Sequence, residues 1–100
     1  MKAVTIINRL TVKPGKMDEF LETQRKYAAE LPACGLIGGR MYRGTDDQTA
    51  VLVSTFESKS AQEAILQRAD FKEHLRRMQD LVESSNPSLY EEAYTTGNFA

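Results

Sequence analysis

Residues 3–12 read AVTIINRLTV. In an extended chain successive side chains point to opposite faces, so Val4, Ile6, Asn8, Leu10 and Val12 share one side. Four of the five are apolar, which predicts a strand with that side turned inward. Asn8 breaks the apolar row. A buried amide left without partners costs roughly 1–3 kcal/mol, so backbone, water, another side chain or a ligand must bond it.

Outward from that strand the chain alternates between elements. KPGK at 13–16 ends the strand, with Pro14 and Gly15 as turn formers. A helix follows over about 16–31, with Met17, Phe20, Leu21, Gln24, Ala28 and Leu31 on its inner face. Pro32 stops it, and PACGL leads out. Strand two is expected over 36–44 and strand three over 50–57, joined by a hairpin turn at TDDQ, 45–48. Ser60, with Glu63 three residues on, reads as a capping box opening a short helix over 60–68. Asp70 is the expected cap of a second helix over 71–83, with Phe71, Leu75, Met78, Leu81 and Val82 as apolar positions. SSNP at 84–87 is read as its stop, SLYEEAYTT at 88–96 as the last strand, and GNFA as the end of a tail. The order is that of an α+β, ferredoxin-like β-α-β-β-α-β domain with a four-stranded antiparallel sheet. It is a single domain with its core over about 3–94 and a tail over 95–100. Helices cover one sheet face. The other face, with Ile7 and Arg9 on strand one, is left open and is the expected dimerisation surface.

Composition narrows the function classes. Thirteen basic and fourteen acidic residues are spread along the chain. The densest basic cluster, HLRR at 74–77, is too small for a nucleic-acid surface. No run approaches the roughly 18 apolar residues of a membrane span. The first ten residues lack the apolar core of a signal peptide, so the cytoplasm is expected. Cys34 is the single cysteine, which excludes an intrachain disulfide, and with one histidine it makes no zinc signature.

The ordered set NRLTVKPGKMDEFLE, GLIGGRMYR, VLVSTFESKSAQEA, DFKEHLRR and PSLYE resembles the antibiotic biosynthesis monooxygenase domain over about residues 3–94. The resemblance implies a dimeric α+β barrel whose sheets pack face to face. It also implies a pocket between sheet and helices, and either cofactor-free oxygenation of phenols, quinols or polyketides or haem degradation. Phe56 stands where many members carry a Trp. Trp donates a hydrogen bond and Phe does not, so an indole-dependent mechanism is not carried over.

Three polar residues interrupt apolar faces: Asn8 on strand one, Gln24 on the first helix and His74 on the last. All three could line the sheet–helix pocket that the family places there. His74, the only histidine, is the candidate general base, although an edge position bonded to Asp70 or Glu73 is the plainer alternative. Asn8 is the candidate donor to a substrate oxygen. Gln24, Phe20, Phe56, Phe71 and Met78 are the expected substrate-binding residues. The leading expectation is a cofactor-independent monooxygenase with no metal, acting as a homodimer on a small aromatic substrate and dioxygen. The alternative is a haem-binding or haem-degrading oxygenase. That branch shares an N-R-L-T start with Asn8, Arg9, Leu10 and Thr11, but its histidine aligns nearer Leu75 than His74. A third alternative is a dimeric ligand-binding or stress-associated protein without turnover on the same scaffold.

Overall fold

A computed structural model describes residues 2–31 and 34–99. The elements are β1 (Val4–Val12), α1 (Met17–Glu30), β2 (Leu36–Arg43), β3 (Thr49–Phe56), α2 (Lys59–Leu66), α3 (Ala69–Met78) and β4 (Val82–Tyr90). The four strands form one antiparallel sheet in the order β2-β3-β1-β4. This is the ferredoxin-like α+β fold that the sequence predicts. Pro32 and Ala33, in the expected exit loop of α1, lie outside the described residues.

The alternation of β1 places its side chains as expected. Val4, Leu10 and Val12 are buried toward the helices, while Arg9 on the other face is exposed. The β2–β3 hairpin closes where TDDQ predicts. Asp46 Oδ1 accepts from the backbone N–H groups of Gln48 and Thr49 at 2.9 and 3.0 Å, an aspartate-closed turn. Gly35 opens β2 with φ +84°, and a Cβ there would lie 2.6 Å from that of Ala61 on α2. Only glycine combines that backbone angle with that approach.

Several expected boundaries move. Ser58, not Ser60, caps α2: its backbone is extended and its side chain accepts from the Ala61 N–H at 3.1 Å. Ser60 lies inside the first turn, and Glu63 approaches Lys59 instead of closing a capping box. α3 begins at Ala69 with Arg68 as its N-cap residue. Asp70 sits in the first turn, where a carboxylate suits the helix dipole, and binds the Arg68 guanidinium through both oxygens at 2.9 and 2.8 Å. α3 ends at Met78, well short of residue 83, because the backbone turns there: the Leu81 N–H bonds back to Met78, and Lys13 N–H to the Leu81 carbonyl.

The largest correction concerns the last strand. SSNP lies within β4, and residues 91–96 lie outside any strand. β4 is an edge strand, so Pro87 forfeits no bond to a second neighbour, and proline is tolerated there. The tail therefore begins after Tyr90 and not at residue 95. The inner face of α1 also shifts: Ala28 is exposed and Tyr27 turns inward. Leu75 is likewise 47% exposed, on the shoulder of α3.

The core between sheet and helices has two apolar parts. The first contains Leu10, Val12, Met17, Phe20, Ala50, Met78 and Leu81, with Leu52 and Met41 packed against it. The second contains Val4, Phe56 and Ile65, with Ile6, Cys34, Leu36 and Phe71 beside it.

Candidate functional site

The boundary between the two apolar parts is polar. On β1, Ile6 belongs to the second part and Leu10 to the first, and Asn8 lies between them. On α3, Phe71 belongs to the second and Met78 to the first, with His74 between. On α1, Gln24 follows Phe20 by one turn, and Tyr27 reaches Phe71 with ring centroids 6.4 Å apart. Two of the three polar interruptions legible in the sequence, Gln24 and His74, meet on one seam across the core, while Asn8 bonds to the edge strand β4.

His74 is the most constrained of them. It is 4% exposed. Its Nε2 faces Gln24 Oε1 at 2.6 Å, a pairing across 50 positions of sequence. A carbonyl oxygen only accepts, so Nε2 carries the proton and Nδ1 the lone pair. The expected alternative partners, Asp70 and Glu73, bind Arg68 and Arg76 instead. Tyr27 stacks on the imidazole with centroids 3.9 Å apart and planes 7° apart. Burial, and secondarily the positive charge of Arg77, pushes the His74 pKa down from the ordinary 6.5. The ring is therefore neutral at pH 7, the state in which it can take a proton. Among the described residues, the buried side-chain atoms without a hydrogen-bond partner are His74 Nδ1 and the Tyr27 hydroxyl.

Asn8 has found a backbone partner. Its Oδ1 accepts from the Asn86 N–H on β4 at 3.0 Å, just before Pro87, its own register partner. That bond ties the edge strand down and fixes the amide, leaving the NH2 end as the donor it can present to a ligand. The remaining expected binding residues divide. Phe20, 1% exposed, sits within the first apolar part and Phe56 within the second. Phe71 and Met78 flank His74 on α3.

Tyr27 is the functional candidate that sequence reasoning missed. Phe20, Gln24 and Tyr27 keep a 4-then-3 helical spacing, which could have selected it over Ala28. Tyr27 also forms the common wall of two adjoining crevices between α1 and α3, of about 190 and 300 Å³, both edged by Glu30 and Arg77.

Residues 3–77 match the family model described as antibiotic biosynthesis monooxygenase. The chain belongs to that family. SnoaB, a cofactor-independent oxygenase from Streptomyces nogalater, crystallised as an asparagine-to-alanine variant, shares the fold with TM-score 0.83 and 25% identity, covering 95% of this chain and 97% of that one. A conserved protein from Methanosarcina mazei Go1 superposes with TM-score 0.81 at 18% identity, covering 92% and 94% of the two chains, a likeness of fold alone. No curated protein matches the chain significantly.

Within this family frame the haem alternative can be tested on the geometry. A haem ligand must offer the iron a free ring nitrogen and an open approach. His74 Nε2 is held by Gln24, and Tyr27 covers the ring face. His74 Nδ1, by contrast, has no hydrogen-bond partner, so one ring nitrogen stays free. Among the described residues no group of three or more His, Cys, Asp or Glu side chains could hold a metal ion. No described helix is long and apolar enough to cross a membrane.

Proposed function

We propose that this family member is a cofactor-independent monooxygenase that oxidises a small phenolic, quinol or polyketide-like aromatic, with His74 as the general base. The observation that carries the reading is His74 itself: buried, neutral at pH 7, pinned through Nε2, and with its Nδ1 lone pair unspent inside the core. A structural histidine gains by bonding both nitrogens, since an unpaired buried acceptor costs roughly 1–3 kcal/mol.

The chemistry suits such a base. A hydroxyarene that has lost its O–H proton is electron-rich enough to react with dioxygen directly. The arenolate carbon reduces and bonds dioxygen, and loss of water leaves a carbonyl. Hydroxyarene plus dioxygen becomes quinone plus water, with one oxygen atom in each product. The protein's work is to exclude water, take the proton and stabilise the oxyanion. The apolar parts on either side of the seam serve the first need. His74 serves the second, and the Asn8 NH2 is a donor for the third.

The same reading includes a homodimer joined through the helix-free sheet faces, forming the α+β barrel. That face carries Ile7, Val51 and Val53, all only half-buried, beside the exposed Tyr42. The accessible surface of 7072 Å² exceeds the about 5,700 Å² of an average monomer of this mass. The excess, to which the extended tail contributes, is of the order that one side of a stable interface buries, about 800 Å² or more. Sedimentation equilibrium at micromolar concentration should give twice the 11.2 kDa chain mass; a lone 11.2 kDa species defeats the dimer.

Oxygen-electrode traces on a panel of hydroquinones and naphthols, without flavin or metal, test the activity. Uptake of one dioxygen per quinone formed is expected, falling about 10²–10⁴-fold in His74→Ala. No uptake by wild type across the panel, or equal uptake by His74→Ala, overturns the proposal.

A further inference from the structure

The oxygenase reading leaves two features unexplained: the Tyr27 hydroxyl and the bond from His74 to Gln24. The two buried polar atoms without partners, Tyr27 Oη and His74 Nδ1, belong to rings stacked on each other. With ring centroids 3.9 Å apart, the two atoms sit on neighbouring faces of one stack. Nδ1 can only accept a proton, because Gln24 Oε1 holds the other nitrogen as N–H. The Tyr27 hydroxyl can donate. Burial first, and the nearby Asp70 charge second, hold its pKa above the ordinary 10, so it stays protonated.

An acceptor beside a donor is what an ionisable hydroxyl requires. Before ionisation its proton points at the acceptor; afterwards its oxygen accepts from the donor. A carboxylate offers no proton to Nδ1 at neutral pH, and an ammonium ion offers no acceptor to Tyr27. We propose that Tyr27 Oη and His74 Nδ1 form a two-point site for an aromatic hydroxyl. In it His74 takes the proton, Tyr27 donates to the resulting arenolate, and Gln24 is the positioning residue that fixes the imidazole tautomer. The step balances: the O–H bond of the ligand breaks, an N–H bond forms at Nδ1, and the pair becomes arenolate and imidazolium. Tyr27 also walls the two α1–α3 crevices, which lie on the solvent side of its ring stack with His74. The inference rests on the oxygenase reading only for the reaction of the arenolate with dioxygen; binding and ionisation stand without it.

The first test needs no substrate. Long-range 1H–15N correlation of His74 in the free protein should show the Nε2–H tautomer, and Gln24→Met should convert it to a mixture. An Nδ1–H tautomer in wild type, or no change in Gln24→Met, overturns the assignment to Gln24. The second test uses anaerobic 4-nitrophenol, whose ionisation is visible by absorbance. It should bind wild type with the phenolate form enriched relative to free dye at the same pH. Tyr27→Phe, which keeps the ring stack, should bind the phenolate about tenfold more weakly while leaving the His74 tautomer in place. No binding by wild type, or equal phenolate binding by Tyr27→Phe, overturns the two-point site. Enriched phenolate without oxygen uptake by any hydroxyarene supports the site and sinks the oxygenase reading. Uptake that survives Tyr27→Phe undiminished does the reverse.

Discussion

The two halves of one helix–sheet layer behave differently. At the end built on Val12, Phe20 and Ala50, side chains are 0–2% exposed and wholly apolar. One turn further along α1 and α3 the same layer holds an amide, an imidazole and a phenol, and two of their buried polar atoms go unbonded. Packing of the first kind is where stability comes from. Burying polar atoms without full pairing costs stability, and a fold retains such a place where it serves something else. On the proposed function, the apolar end carries stability and the seam carries the chemistry.

The contrast breaks most visibly at Phe20. Phe20→Ala opens a cavity in the apolar end and should cost about 3–5 kcal/mol, read as a lower urea midpoint. Because so small a domain has little stability to spare, the variant should be largely unfolded at 37 °C. A loss under 1 kcal/mol would mean that this end is not the stabilising half.

Acid should act on the seam. The folded His74 pKa lies below its unfolded value of 6.5, so the unfolded chain binds the proton more readily. Stability is then complete above pH 6.5 and declines as pH falls below it. The groups facing His74 are Gln24 and Tyr27 on α1 and Arg77 on its own helix, and none supplies a negative charge to hold the imidazolium. Urea melts from pH 7.5 to 5.5 should show the decline in wild type and a shallower one in His74→Leu. Identical slopes would place the titrating group elsewhere.

Asn8 should give the smallest effect. Its one described bond goes to the exposed Asn86 N–H, which water can reach once the amide is gone. Asn8→Leu should cost about 1 kcal/mol and speed amide exchange along β4 more than along β2. Uniform exchange rates would show that Asn8 does not tie the edge strand.

How much of this is legible in the sequence tracks the same division. The alternation of β1 and the spacing of Phe71, His74 and Met78 are local patterns, and both place their residues correctly. Asn8, Gln24 and His74 announce themselves by interrupting apolar faces. Their partners do not, because Gln24 and His74 stand 50 positions apart, and Asn8 and Asn86 stand 78 apart. β4 is hidden for a related reason. SSNP carries every local sign of a turn, and only pairing with β1 makes it a strand. Tyr27 escapes notice because an apolar stripe through Ala28 fits α1 nearly as well, and a tyrosine reveals its burial only when its stacking partner is known.

The seam itself is tested by filling it. The double variant Gln24→Met, His74→Leu replaces a bonded polar pair by apolar groups of similar shape, a change that is close to neutral or stabilising when the pair is not needed for folding. Thermal melts and oxygen uptake on a hydroquinone, run on this variant and wild type together, should give an equal or higher Tm with uptake abolished. A Tm lowered by several degrees with uptake unchanged would contradict the account, because the polar seam would then belong to the fold and not to the chemistry.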